Sequence, residues 1–546
     1  MVKAQSLLSF LAATALFGQS SAKNDKPNFL VFLMDDQDLK MDSLHYMPRV
    51  QKYITSQGTT FSHHYISTAI CCPSRVSFWT GQFPHNHNVT DESPPHGGYP
   101  KFLSRQLDSN YLPFWLDKGG YSNYYVGKFI NGVDAKNPGP PKGWTHFEPL
   151  VAPWIYEYLN PTFSLNGAPF ETHDGEYQTD VILNKTLGIL DKLKTSAKPF
   201  LFTVSPVAPH DTVTVKPDST GFPEFYPPVP AKRHEHLFKT LKVPRKPNFN
   251  PKVQDKPSWL KTLPRLNQTR IDDLDEHYRL RIRSLQAVDE LVETVIKKLE
   301  KNGQLDNTYI IYTTDNGYHL GQHRLGAGKG TPYEEDVNIP FIIRGPGVAK
   351  GKISKAFTTH THIPATILDL AGLEIPGHLD ASPMPVLNRP HTKYEPTEAF
   401  NVEFWSNSFF EDTWERFTNN SYKAVRIIGE GYNYYFSTWC TGEHELYDIQ
   451  TDPYQLDNIY PQAIKRNHKL IERLNGLLNV LRDCVGETCR HPWRVLHPDG
   501  SVKNLQQALK KRHDTYYAQL PVFKFATCKI FNDRSNELLV KGNDSL

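Results

Sequence analysis

Several side chains able to act on an ester stand at the ends of apolar runs in this 546-residue chain. Asp35-Asp36 follow Asn28–Met34, and Asp315-Asn316 follow Thr308–Thr314. Three carboxylates and an amide form a set of hard oxygen donors, suited to calcium, with magnesium as the alternative, and not to zinc. Arg75, Lys128 and Lys329 could neutralise a bound oxyanion and the charge that grows in its transition state. His210 ends the stiff loop Ser205-Pro206-Val207-Ala208-Pro209 and offers acid chemistry near neutral pH. The thiol of Cys71 precedes Pro73, which predicts a helix opening at Pro73 and closing at Gly81. The unpaired N–H groups of such a helix favour an anion. A metal, several cations and a nucleophile beside a helix N-terminus together describe hydrolysis of a sulfate or phosphate ester.

The elements that must position these groups follow from periodicity. Asn28–Met34 reads as a central strand buried on both faces, and ligands in open α/β sheets bind at the carboxyl ends of such strands. Successive strand residues point to opposite faces, so Asp35 and Asp36 reach one ion only where the chain turns. Viewed alone, that pair reads equally as a turn or helix cap, and Asp315-Asn316-Gly317 as a tight turn. Tyr121–Val126 predicts a strand ending at Gly127-Lys128, where the glycine would let the backbone pass close to a pocket. Pro199–Val204 predicts another strand, and residues 270 to 301 the clearest helix, closed by Gly303. If the strands at 28 and 308 are parallel, this crossover delivers Asp315 to the edge that carries Asp35. Residues 213 to 265, rich in proline and lysine, read as an irregular excursion shaping substrate access. Further strands are expected over 339–344 and 445–449, and helices over 360–370 and 461–482. His85 and His87 read as structural. The alternation of strands and helices predicts an α/β domain over 23–385, followed by a smaller α+β subdomain over 386–546.

Residues 1–22 read as a secretory signal: Lys3, an apolar core from Leu7 to Phe17, then Ser20-Ser21-Ala22. No later stretch is apolar enough to cross a membrane. A net charge of +3 gives no electrostatic case for binding nucleic acid. Sequons at Asn88, Asn184, Asn267, Asn419 and Asn543 fit a secreted or lysosome/vacuole-like glycoprotein. Of six cysteines, the four C-terminal ones allow three pairings. The preferred one joins Cys484 to Cys489 and Cys440 to Cys528, and a zinc site at Cys484, Cys489 and His491 is its rival.

Cys71-Cys72-Pro73-Ser74-Arg75 with Thr80-Gly81 resembles the signature of the type I sulfatases. Asp35-Asp36, Gly127-Lys128, Pro209-His210, Asp315-Asn316, Gly328-Lys329-Gly330-Thr331 and Glu445–Pro453 are similar to further family motifs in the same order. The resemblance implies an alkaline-phosphatase-like large mixed sheet flanked by helices. It implies that Cys71 is oxidised to formylglycine by a formylglycine-generating enzyme, and that the aldehyde hydrate is the nucleophile. It also implies that Asp35, Asp36, Cys71, Asp315 and Asn316 surround the metal, with Arg75, Lys128, His210 and Lys329 catalytic. One departure stands out: Lys128-Phe129-Ile130-Asn131 lacks the tryptophan and histidine that many arylsulfatases carry there, leaving Asn131 in that place and His319 or His323 as an auxiliary base.

The motifs are similar both to secreted fungal arylsulfatases and to the N-acetylglucosamine-6-sulfatase branch, and Trp79 before Thr80-Gly81 favours the former. The expected reaction is hydrolysis of a small aryl sulfate to phenol and sulfate. The alternatives are a sulfatase of aminosugars, a phosphate or phosphonate monoester hydrolase, and a non-catalytic secreted binding protein.

Overall fold

The computed structural model describes residues 26–214, 224–387 and 394–541. The proposed signal segment and Asn543 lie outside them. The chain is built on one eight-stranded mixed sheet whose strands, in chain order, are β1 (Asn28–Met34), β2 (Thr59–Tyr65), β3 (Ser122–Gly127), β4 (His146–Pro149), β5 (Phe200–Ser205), β6 (Thr308–Thr314), β7 (Phe341–Arg344) and β8 (Lys352–Thr359). Their spatial order is β8-β2-β7-β6-β1-β5-β3-β4. β1 runs parallel to both β5 and β6, whereas β7 is antiparallel to β6 and β2.

The apolar run of β1 is explained by cover on both faces. Leu30, Phe32 and Met34 pack under helices α2 (Gln178–Leu193) and α3 (Gln268–Lys301), while Phe29, Val31 and Leu33 pack with Cys72, Val76 and Trp79 of helix α1 (Cys71–Thr80) and with helix α4 (His362–Leu370). Each such buried side chain contributes about 1.5–3 kcal/mol. The Asn267 side chain caps α3 by accepting from Arg270 N at 2.9 Å.

Helix α1 opens at Cys71, two residues earlier than Pro73 predicts. Ile70 is extended and its carbonyl accepts from Ser74 N at 3.1 Å, which closes the first turn. First-turn N–H groups have no intrahelical partner, so Pro73 costs nothing there. All ten residues of α1 are buried, and Gly81 ends it at φ 68°.

The smaller C-terminal unit is an antiparallel sheet of β9 (Ala399–Phe404), β10 (Tyr422–Gly429), β11 (Tyr432–Trp439) and β12 (His444–Asp448). The single helix expected over 461–482 is two, Tyr460–Arg466 and His468–Leu481, because Asn467 leaves helical geometry at φ −142°, ψ 49°. Tyr65 and Phe357 of the large sheet lie against Phe400, at 5.6 and 4.9 Å between ring centroids, so one apolar cluster crosses from sheet to sheet. Disulfides join Cys440 to Cys528 and Cys484 to Cys489, which removes the zinc alternative; Cys71 and Cys72 are free and buried. No helix among the described residues is long and apolar enough to cross a membrane.

Candidate active site

The site forms where β1 and β6 end side by side. Met34 pairs with Thr314, so Asp35-Asp36 and Asp315-Asn316 leave the sheet together, and Asp315 N donates to the Met34 carbonyl at 3.3 Å. Asp36 adopts φ 62°, the turn needed to bring two consecutive carboxylates to one place. Its N–H donates to Asp315 Oδ1 at 3.0 Å, and Asn316 Nδ2 donates to Asp36 Oδ1 at 2.7 Å. All four side chains are buried. Asp35, Asp36, Cys71 and His210 each offer a ligand atom, and these atoms lie within 4.8 Å of one another. Asn316 Oδ1 is buried without a hydrogen-bond partner. An orphaned amide oxygen beside clustered carboxylates fits a hard cation.

Cys71 enters this cluster from the first position of α1, its Sγ 3.5 Å from Asp35 Oδ1 and 3.8 Å from Asp36 Oδ1. Burial pushes the thiol well above its ordinary pKa. One turn on, Arg75 is fully enclosed: Nε donates to Asp315 Oδ2 at 2.7 Å, and Nη1 to the Lys128 carbonyl at 2.6 Å and to Ser205 Oγ at 3.0 Å. Its donors are thus turned onto the ends of β3, β5 and β6, which makes it a brace of the site. Ser74 adds a bond from Oγ to the Asp315 carbonyl at 2.5 Å.

The two lysines approach from opposite sides. Lys128 Nζ is 2.6 Å from Asp35 Oδ2 and lies 4.6 Å from the centre of the Tyr156 ring. Lys329 Nζ is 2.6 Å from Asp36 Oδ2 and 3.2 Å from Glu411 Oε1. Burial opposes both charges, yet Asp35 and Asp36 hold the two ammonium groups well above the ordinary lysine range. The same balance acts on the carboxylates. Burial and the Asp315 charge push Asp35 up, whereas Arg75 and Lys128 outweigh burial at Asp315 and hold it below the usual range.

His210 stacks on Tyr156 at 4.2 Å, with Nε2 3.6 Å from Asp36 Oδ2. Its Nδ1 meets the Asp211 carbonyl at 2.7 Å; a carbonyl only accepts, so Nδ1 carries a proton. Burial, with Lys329 and Lys128 nearby, pushes the imidazole well below its ordinary pKa. The neutral ring therefore presents Nε2 as an acceptor.

Other expected histidines stand apart from this cluster. His319 Nδ1 is 2.8 Å from Asp336 Oδ1, on a short hairpin of His319–Leu320 with Ala327–Gly328 that carries Lys329. His323 packs 4.6 Å from the Tyr333 ring with Glu335 at 3.7 Å. Asn131 donates to Tyr156 Oη at 2.8 Å. His85 is bound to Glu403 and His87 to Ser77, as structural residues. Asn184, Asn267 and Asn419 are exposed, and Asn88 is half-buried.

Three participants, Glu411, Tyr156 and Arg281, escaped the sequence reading. Glu411 comes from the loop between Ser408–Phe409 and Arg416–Phe417; Tyr318 Oη donates to its Oε2 at 2.6 Å, and burial pushes it up to about 7. Tyr156 lies in a loop without periodicity. Arg281, buried in α3, donates to the Pro209 carbonyl at 3.0 Å and to the Asp36 carbonyl, and its guanidinium lies 3.8 Å from the centre of the Tyr318 ring. The only signal for Arg281 is a charge on the apolar face of a predicted helix.

A cavity of about 380 Å³ opens onto His210, Lys329 and Glu411 and is walled by Tyr156, Phe225, Phe404 and Phe409. A larger one, about 770 Å³, lies between β8 and the C-terminal unit and is lined by none of the residues of the candidate active site.

The profile described as "Sulfatase" matches residues 27–373, and that of "N-sulphoglucosamine sulphohydrolase, C-terminal" matches 321–483. The chain is 40% identical to an arylsulfatase of Volvox carteri, covering 98% of this chain and 86% of that one. It is 32% identical to an N-acetylglucosamine-6-sulfatase of Capra hircus, covering 87% and 86%. A solved structure described as complexed with its substrate D-glucosamine-2-N,6-O-disulfate shares the fold at a TM-score of 0.67 and 21% identity, covering 87% of this chain and 100% of that one.

Proposed function

Because the chain belongs to the sulfatase family and is a sulfuric ester hydrolase, we propose that it cleaves aryl sulfate monoesters with formylglycine formed from Cys71. The observation that carries this reading is the placement of Cys71 Sγ 3.5 Å from Asp35 and 3.8 Å from Asp36, at the first turn of a buried helix. A formylglycine-generating enzyme would be the partner in maturation. Formylglycine would supply an oxygen nucleophile, and a calcium or magnesium ion would supply Lewis-acid stabilisation of the ester oxygens. Asp35, Asp36, Asp315 and Asn316 would hold that ion, together with the modified residue 71.

The chain's own residues divide the remaining work. Arg75 fixes Asp315 and the ends of β3 and β5, keeping the carboxylates in register. Lys128 and Lys329 place two positive charges on either side of the nucleophile, where the sulfate's negative oxygens would sit. Both His210 and Lys329 line the cavity; the Lys329 ammonium would give a proton to the departing oxygen, and His210 Nε2, an acceptor in the neutral ring, would first have to take one up to do so. His319, whose Nδ1 is tied to Asp336, would be the candidate auxiliary base. The signal segment, the sequons and the two disulfides support passage through the secretory pathway.

The full-length likeness to arylsulfatases favours an aryl ester, and the likeness to an N-acetylglucosamine-6-sulfatase carries the second reading, a 6-sulfated aminosugar. A phosphate or phosphonate ester hydrolase and a non-catalytic binder are not favoured.

Peptide mass spectrometry across Cys71, on protein secreted by a host that makes formylglycine, tests the proposal. An aldehyde-bearing, lighter peptide is expected, with sulfate release that Cys71→Ala abolishes. An intact thiol in a protein that still hydrolyses aryl sulfates would remove formylglycine from the reading.

A further inference from the structure

The cavity is electrically divided. Lys329 lines it, 2.6 Å from Asp36 Oδ2, while Lys128 is buried against Asp35 and is not part of the lining. Two half-buried carboxylates, Asp91 and Glu92, also line the wall. Glu92 lies within electrostatic reach of Lys329, Lys128 and Asp36. Glu411 stands on the Lys329 side, its Oε1 3.2 Å from Nζ. Lys329 is the only lysine or arginine among the described residues lining the cavity. The remaining wall mixes the aromatic rings of Tyr156, Phe225, Phe404 and Phe409 with uncharged polar groups, among them Asn131 and Asn407. Aromatic faces of this kind accept a neutral planar ring.

We infer that this cavity selects sulfate monoesters whose alcohol part carries no second negative charge; the inference rests on the sulfatase reading above. The single sulfate satisfies the two lysines. A further carboxylate or sulfate on the leaving group would lie among like charges in a low-dielectric pocket, with no second cation for it among the described lining residues. At Glu411 a proton would have to be taken up to tolerate such an anion. The acidic rim thus acts by exclusion, and the aromatic wall by contact.

The test compares kcat/KM for phenyl sulfate and 4-(carboxymethyl)phenyl sulfate, esters of phenols of similar acidity, by release of inorganic sulfate from the formylglycine-bearing protein. Wild type is expected to favour phenyl sulfate by about tenfold or more. In the Asp91→Asn/Glu92→Gln double variant the ratio should fall towards two. Should that variant not fold, raising the salt concentration on wild type should narrow the ratio instead. Equal rates on the two esters in wild type, or a ratio unmoved by both charge removal and salt, would overturn the inference while leaving the sulfatase reading intact. No sulfate released from either ester would overturn both.

Discussion

Arg281 of α3 reaches the main chain of Asp36, donating to its carbonyl while also holding the Pro209 carbonyl at 3.0 Å. One buried guanidinium thus ties the loop carrying a candidate metal ligand to the loop carrying His210. Asp36 is in the left-handed region, where a side-chain-bearing residue stays only if its surroundings require it. Its amide is fixed by Asp315 Oδ1, and its carbonyl by Arg281.

The Arg281→Met variant tests this clamp. Two buried carbonyls lose a charged donor, at about 1–3 kcal/mol each. The expected result is a fall in kcat of about a hundredfold, with metal affinity weakened in parallel and KM little changed. Isothermal titration with calcium reads the affinity, and an unchanged value would show that Arg281 supports only the fold.

Gly127 has no room for a side chain. At φ 112°, an added Cβ would lie 2.0 Å from the Ser205 carbonyl oxygen of the neighbouring strand. Gly127→Ala should cost about 3 kcal/mol, from backbone strain and overpacking, and should displace Lys128 from Asp35. The denaturant midpoint measures the first effect and kcat the second.

Glu403 governs acid stability where β9 meets the segment after α1. It accepts from His85 N at 2.9 Å and lies 3.4 Å from Lys423 Nζ. Burial would raise its pKa, but His85 and Lys423 prevail and hold it down to about 2, from 4.5. A depressed carboxyl contributes stability above its unfolded pKa and loses it as pH falls through the folded one. Glu403→Gln should therefore be less stable than wild type by about 3 kcal/mol at pH 7. The gap should close between pH 4.5 and 2, as read by urea unfolding at a series of pH values.

The two disulfides should differ in weight. Cys440–Cys528 closes a separation of 88 residues, Cys484–Cys489 one of only 5. In the chain-entropy account, Cys440→Ala/Cys528→Ala costs about 4–5 kcal/mol and Cys484→Ala/Cys489→Ala about 2 kcal/mol. Unfolding curves of the two double variants give the comparison directly.

The sequence by itself determined the strands that end in chemistry. Asn28–Met34 and Thr308–Thr314 are apolar throughout because both faces of a central strand are covered, and the polar residues that follow must lie at its edge. It also carried the order of motifs from Asp35 to Lys329 and the long helix, read as 270–301 and found over 268–301, whereas the choice among three pairings of the C-terminal cysteines fell to the fold. Only the tertiary structure decided how these groups meet. The left-handed turn at Asp36 depends on Asp315 and Arg281, which lie 279 and 245 residues away, so no local pattern announces it. Arg75 and Lys128 are both cations near strand ends, yet packing encloses one as a brace and sets the other against Asp35. Glu411, Tyr156 and the acidic rim come from loops, whose positions are set by contacts distant in sequence and not by helical or strand period. Identity of the reacting groups was local information, whereas their roles were assigned by what the fold brings against them.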